Sequence, residues 1–339
     1  MITKKLDAKN DYSRAVSEAS EILKRGGIVA IPTETVYGLA ASAYSDNAIK
    51  SVFEAKGRPQ DNPLIVHISS LDMLNAVACD IPDAAYQCAK AFWPGPFTMV
   101  LPKGDKIAAS VSAGLNTVAV RYPSEKTICD IITASKLPLA APSANTSGKP
   151  SPTTAAHVID DLDGKIDAVV CGNDSTVGVE STVVSLVGDK PRLLRPGAVT
   201  PNQLKRILPD LVIDDAVLKQ LKDGEKAASP GMKYKHYAPK TEAILVEGCS
   251  NSFVKFVNSK TNCAAICFEE EYYSIAVPKI SYGSKRNEST LAQNVFSVLR
   301  DVDSLGVEQV YIHAPSKDGV GLAVYNRLIR ACGFKVVVL

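Results

Sequence analysis

GGIVAIPTETVYGL, residues 26–39, is the stretch that decides the fold. Residues 11–25 before it read as a helix, and Gly26-Gly27 stand where a left-handed helix cap is wanted. Ile28–Ile31 is a short apolar run of the kind a buried strand carries. It empties into Thr33, Glu34 and Thr35, and open α/β sheets tend to place ligands at such strand exits. The hydroxyls there can meet a small polar substrate, and Tyr37 can wall it. A plain strand-to-loop junction reads the same way at this level.

Outward from that stretch, helices and strands are mixed without strict alternation. Asp46 suits the N-cap of a helix that ends at Gly57. LIVHI (64–68) follows as a strand, then helices over 70–78 and 82–92, which Pro94-Gly95-Pro96 stops. FTMVL (97–101) and TVAVR (117–121) are strands, 124–135 a helix, and PLAAPSAN (138–145) a short strand opening into a loop. A helix over 153–160 and the strands AVVC, STVVSLV and PRLLR complete the pattern, which implies a mixed twisted sheet in an α/β domain. From Leu211 the pattern weakens, and SPGMKYKHYAPK (229–240) reads as a linker. Beyond it EAILVE, CAAICF, QVYIHA and KVVVL alternate with helices over 250–259, 290–304 and 319–332, a smaller Rossmann-like parallel α/β domain. Thr290 and Gln293 offer a capping box to its long helix. The expected division is a catalytic domain at 1–210, a linker at 211–240 and a second domain at 241–339.

With 339 residues, 46% hydrophobic and 22% charged, the chain suits an ordinary folded protein of more than one core. Its apolar runs are too short to cross a bilayer and its first residues lack a secretory pattern, so a cytoplasmic protein with no membrane partner is expected. A net charge of +2 without a basic stripe makes direct nucleic-acid binding weak or absent. Eight cysteines without a CxxC pair read as reduced, buried thiols, and the histidines and acids show no metal-ligand spacing.

Cations and hydroxyls at strand ends carry the chemistry. In KGRPQDNPLIVHI (56–68), Lys56 and Arg58 close a helix beside a strand, and Asn62 adds a neutral donor. A solvated basic helix end satisfying the helix dipole is the alternative. His67 lies in an apolar strand, where by itself a satisfied core histidine is a commoner reading than a ligand contact. Arg121 ends the strand in NTVAVRYP (116–123), and its burial calls for an anion, either a substrate carboxylate or an internal acid. In APSANTSGKPSPT (141–153), Ser143 and Asn145 share one side of an extended segment, with Ser151 nearby. Ser181 opens the strand of DSTVGVESTVVSL (174–186), and Arg195 closes the strand of LLRPGAV (193–199). Arg58, Arg121 and Arg195 together favour a common anionic ligand. No GxxxxGK[ST], GxGxxG or GxSxG occurs, so the site positions and neutralises rather than supplying a nucleophile.

PTETVYGL, KxR within KGRPQDNPL and SxN within PSANTSG, in that order, resemble the signature set of the YrdC-type threonylcarbamoyl-AMP synthases. FWPGPFT, VAVRYP, STV and RPG match as well, over about residues 10–205, and SPGMKYKHYAP with the domain after it resembles the long two-domain form. The resemblance implies an ATP-dependent synthesis of L-threonylcarbamoyladenylate from L-threonine, bicarbonate and ATP, with release of pyrophosphate. It implies magnesium riding on the ATP phosphates, with no protein metal site, and hand-over to a tRNA threonylcarbamoyl transferase. Carried to this chain, it assigns L-threonine to Thr35, His67, Arg121, Ala141 and Ser181. ATP falls to Arg58, Asn62, Thr117, Ser143, Asn145, Ser151, Arg195 and Tyr234, with Lys56 and Arg58 in catalytic roles at the phosphates. The linker would close over the site as a lid.

Two other classes compete with this reading. A carbamoyltransferase relative would carry paired CxxC zinc motifs and an acylphosphatase-like region, and neither is present. A non-catalytic RNA-binding module is disfavoured by the weak charge and by an aromatic content of 6%.

Overall fold

The computed structural model describes residues 2–60, 62–219 and 236–339. Two compact units are present, the undescribed residues aside. One is built from Met1–Ser147, Ser151–Thr176 and Glu180–Lys233, the other from Gly148–Pro150, Val177–Val179 and Tyr234–Leu339.

In the first unit the strands are β1 (Lys4–Asp7), β2 (Val29–Ile31), β3 (Gly38–Ser42), β4 (Ile65–His67), β5 (Phe97–Pro102), β6 (Thr117–Arg121), β7 (Leu139–Ala140), β8 (Ala168–Cys171), β9 (Thr182–Ser185), β10 (Arg192–Arg195) and β11 (Val212–Ile213). They lie in one sheet ordered β1-β8-β2-β3-β7-β4-β6-β5-β9-β10-β11. Pairing is mixed: β4 runs parallel to β6 and antiparallel to β7, while β5 runs antiparallel to β6 and parallel to β9. The expected mixed sheet is thus present. β11 pairs with β10, so the first sheet takes in residues just past the start of the expected linker.

Both faces of the β2 end of the sheet are buried, which is why IVAI shows no polar alternation. Ala30, Leu39 and Ala41 enter one core with Val52, Phe53 and Val120. Val29, Ile31 and Ala40 enter another with Ile128, Ile131 and Ile132. The helices here are α1 (Tyr12–Lys24), α2 (Asp46–Lys56), α3 (Leu71–Val77), α4 (Asp83–Phe92), α5 (Lys126–Ser135), α6 (Ala155–Leu162) and α7 (Pro201–Lys205). Helices α1 and α5 pack together over the second core. Toward β9, the same face carries only a small apolar cluster of Ile65, Val100, Ala119, Val183 and Leu194.

Gly26 has φ +84° after the last turn of α1, and Gly57 is the left-handed cap of α2 at φ 61°, as their positions led one to expect. Two caps differ from expectation. Ser45, not Asp46, caps α2 by accepting from the Ala48 amide, leaving Asp46 in the first turn where its charge suits the helix dipole.

The second unit contains β12 (Glu242–Glu247), α8 (Ser250–Asn258), β13 (Cys263–Phe268), β14 (Lys279–Gly283), α9 (Glu288–Asp301), β15 (Gln309–His313), α10 (Gly321–Ala331) and β16 (Val336–Val338). All pairings in its sheet, ordered β14-β13-β15-β12-β16, are parallel, as expected for a Rossmann-like domain. The edge strand β14 was not foreseen. Helix α9 starts at Glu288 behind Asn287, and Thr290 lies inside it, its hydroxyl donating to the Asn287 carbonyl at 2.7 Å. The Thr290–Gln293 capping box is therefore not formed. No disulfide links the eight cysteines; Cys79 and Cys249 are exposed rather than buried.

Candidate active site

The register of four strands builds the site. His67 on β4 lies opposite Arg121 on β6, and Arg121 lies opposite Thr98 on β5. Paired residues in a ladder share a face, so these three polar side chains form a row. The face is that of Ile65, Val100 and Ala119, which therefore floor the row with apolar surface. Ser181, just before β9, joins at the end of the row, its Oγ 2.7 Å from Thr98 Oγ1.

Arg195 arrives by a local irregularity. Leu193 lies opposite Val184, but Arg195 lies opposite Val183, so β10 carries a bulge at Leu194. An extra residue turns a side chain to the face it would otherwise miss. Leu194 joins the floor, and Arg195 donates from Nε to the Ser181 carbonyl at 3.0 Å and from Nη2 to Ser181 Oγ at 3.1 Å. The Pro196-Gly197 turn then presses on the start of β9. A Cβ on Gly197 would fall 2.4 Å from the Thr182 nitrogen, so glycine is required there.

Arg121 is only 3% exposed. It donates from Nε to the Gly95 carbonyl (3.2 Å) and from Nη1 to Thr35 Oγ1 (2.8 Å), and pairs through Nη2 with Glu34 Oε1 at 2.7 Å. Glu34 Oε1 also accepts from the Ser124 amide at 3.1 Å. Thr33 and Thr35 hold each other at 2.8 Å, and Thr33 donates to the Val36 carbonyl. Burial alone would raise the Glu34 pKa, but the Arg121 charge and hydrogen bond outweigh it, and the carboxyl titrates below its ordinary range.

Burial, and then the Arg121 charge, push His67 down to about 3. Its Nδ1 stands 3.2 Å from the Ile65 carbonyl, so a neutral ring protonated at Nδ1 leaves Nε2 as an acceptor. The His67 ring is expected to keep neutral imidazole chemical shifts when the free protein is titrated by NMR from pH 7.5 to about 5. A midpoint near 6.5 would overturn the assignment.

A second group gathers past the start of β4. Strand β7 is antiparallel to β4, so the chain after it runs back toward the residues that precede β4. Ser143 and Asn145 lie on this return, pinned by a bridge from Ser143 to Gly38 and by the Ala144 amide on the Tyr37 carbonyl. Lys56 sits under it with 2% exposure, donating to the carbonyls of Ser143 (2.5 Å) and Asn145 (2.7 Å). Burial first, and the neighbouring Arg58 charge next, lower the Lys56 pKa to about 7. Asn62 is fully buried, and Arg58 is half-buried with its guanidinium 5.9 Å from the Phe53 ring centroid. Thr117 opens β6 at this end, four residue steps from Arg121, or about 13 Å at strand rise.

The structure thus divides the foreseen residues between the two ends of β4 and β6. Thr35, His67, Arg121, Ser181 and Arg195 gather at one end; Lys56, Asn62, Thr117, Ser143 and Asn145 gather at the other. Ala141 lies between them, its amide on the Ile65 carbonyl at 3.0 Å. Ser151 donates to Glu180 Oε1 at 2.6 Å, both buried. Tyr37 is fully buried with its hydroxyl on the Asn173 carbonyl, so it belongs to the core rather than to a wall. Tyr234 lies outside the described residues. Thr98 and Glu180 were not foreseen. The threonine interrupting the apolar run FTMVL was the available signal for the first.

Cations, hydroxyls and amides along a mixed sheet define an anion-positioning α/β enzyme. A family model described as telomere recombination, covering the Sua5, YciO and YrdC proteins, matches residues 21–197, and one described as the threonylcarbamoyl-AMP synthase C-terminal domain matches 199–333. The chain is 43% identical over 328 residues to the threonylcarbamoyl-AMP synthase of Pyrococcus abyssi, covering 94% of each. It is 41% identical to the Bacillus subtilis enzyme of that name, covering 95% of this chain and 94% of the relative. The crystal structure of P. abyssi Sua5 complexed with L-threonine superposes with a TM-score of 0.91 at 38% identity over the full length of both chains. The chain belongs to the threonylcarbamoyl-AMP synthase family, in its two-domain form.

Proposed function

We propose that this enzyme joins L-threonine, bicarbonate and ATP into L-threonylcarbamoyladenylate and releases pyrophosphate. The threonine ammonium gives up one proton, the free amine takes up carbon dioxide derived from bicarbonate, and a second proton leaves as the N–H carbamate forms. A carbamate oxygen then attacks the α-phosphorus, and the bond to pyrophosphate breaks. The observation that supports this reading best is the buried row of Thr35, His67, Arg121 and Ser181, which offers a guanidinium, hydroxyls and a neutral imidazole to a small hydroxylated amino acid.

In this reading Arg121 takes the threonine carboxylate, and Thr35, His67, the backbone at Ala141, and Ser181 complete the pocket. Lys56, Arg58, Asn62, Thr117, Ser143, Asn145 and Ser151 face the nucleotide, Arg195 is assigned to it from its place beside Ser181, and Tyr234 would add to them. These are hydrogen-bond donors and cations, a set suited to phosphate oxygens, and a magnesium ion carried on those oxygens fits beside them. When bound, that ion neutralises phosphate charge. A cytoplasmic setting and hand-over of the adenylate to a tRNA-modifying transferase belong to the same proposal. Among the described residues, no helix is long and apolar enough to cross a membrane.

The test is pyrophosphate release from ATP with and without L-threonine and bicarbonate. Release that needs both, with an AMP-linked product by mass spectrometry, is expected. Release without threonine points to another acceptor, and salt-dependent RNA binding with no turnover favours a binding module.

A further inference from the structure

Glu34 is a buried acid with no part in the proposed chemistry so far. It is 7% exposed, and one of its oxygens is spoken for by Arg121 and the Ser124 amide. The other, Oε2, is shut off from solvent and has no hydrogen-bond partner, and Arg121 Nη2, ion-paired with Oε1, likewise makes no hydrogen bond. An ionised carboxylate has about four acceptor positions, and leaving one oxygen empty inside a protein is costly. Nor does the ion pair explain itself as a stabilising device, because apolar side chains of like volume usually serve a fold as well.

The charges around the pair narrow what Oε2 awaits. The three guanidinium nitrogens of Arg121 face Gly95, Thr35 and Glu34. Thr35 is held by Thr33, and His67 is neutral. Glu125, the nearby acid, is occupied as the cap of α5, accepting from Thr127 and the Ile128 amide. Arg121 and Glu34 therefore present one positive and one negative charge side by side, while Arg195, the further cation at this end, is turned onto Ser181. A ligand bearing only a carboxylate would bring an uncompensated negative charge beside Glu34. A zwitterion brings none, and its ammonium supplies the donor that Oε2 lacks.

We infer that Glu34 receives the ammonium group of the amino-acid substrate and so sets the site's selectivity for a zwitterion over a simple hydroxy acid. This rests on the L-threonine reading of the site. The Arg121 guanidinium fixes one carboxylate oxygen of Glu34 and leaves the other for the ligand.

Calorimetric titration of the full chain with L-threonine and with 3-hydroxybutanoate, which lacks only the amino group, tests it. The unaltered enzyme is expected to prefer threonine by about 100-fold or more, since a site built around a donor rejects the analogue without it. In Glu34→Gln the preference is expected to fall below about 10-fold, with 3-hydroxybutanoate held as well or better and ATP affinity unchanged. Glu34→Asp, which keeps the charge, is expected to retain the preference and decides the matter should the glutamine variant fail to fold. An undiminished preference in Glu34→Gln, or its loss in Glu34→Asp, overturns the inference. Failure of the unaltered enzyme to bind threonine at all would instead overturn the L-threonine reading.

Discussion

Arg121→Ala is expected to raise the L-threonine concentration needed for half-maximal pyrophosphate release by about 100-fold or more, with ATP affinity nearly unchanged. The guanidinium is the buried cation beside Thr35 and His67, and an alanine removes it while Arg195 stays turned onto Ser181. The substitution also strands Glu34. Removing one partner of a buried ion pair costs about 3–5 kcal/mol, so the variant should unfold at visibly lower temperature. The two effects separate in the double variant Arg121→Ala/Glu34→Gln. Neutralising the stranded carboxylate should recover most of the lost stability while threonine binding stays weak. Unchanged threonine affinity in Arg121→Ala, measured by calorimetry, would remove Arg121 from the site.

The second large effect concerns Lys56. Lys56→Met is expected to lower kcat by about 100–1,000-fold, the loss typical when one preorganised donor is removed from a charge-stabilising site. Its amine is held by the Ser143 and Asn145 carbonyls, so the variant loses both a cation and the brace of that loop. A pH comparison isolates the charge. An ordinary lysine titrates near 10.5, whereas buried Lys56 titrates near 7. Between those values the unfolded chain binds the extra proton, so this group makes the free protein more stable as pH rises through the window. The melting temperature of the unaltered protein should therefore climb relative to Lys56→Met from pH 7 to about 10. Parallel curves would show that Lys56 stays fully charged when buried.

Elements with a strong local pattern were legible in the sequence, and those fixed by distant partners were not. IVAI and TVAVR announce strands because their runs are apolar and β-branched. β14, KISYG, alternates weakly and forms because β13 lies beside it. β1 and β11 are short edge strands whose pairing comes from β8 and β10. The caps shifted by one to three residues because several Ser, Asn, Asp and Thr candidates stand together; Ser45 takes α2 through its side chain, whereas Asn287 precedes α9 without a side-chain cap. In the site, the cations were readable from their places at strand ends. The bulge that aims Arg195 and the empty oxygen of Glu34 were not, since both depend on register and packing rather than on residue type.

The first strand waits longest for its partner. Thr3 donates to the carbonyl of Ile166, 163 positions away, and Lys4–Asp7 pairs with Ala168–Cys171. A growing chain emerging at about 5–20 residues per second would therefore keep its opening strand unpaired for about 10–30 seconds. The amine of Lys56 meets a similar delay, because its acceptors lie 87 and 89 positions downstream. Such long-range closure places this domain among slow folders. Early apolar stretches such as Ile28–Ile31 are then the segments most in need of a chaperone while the protein is still being made.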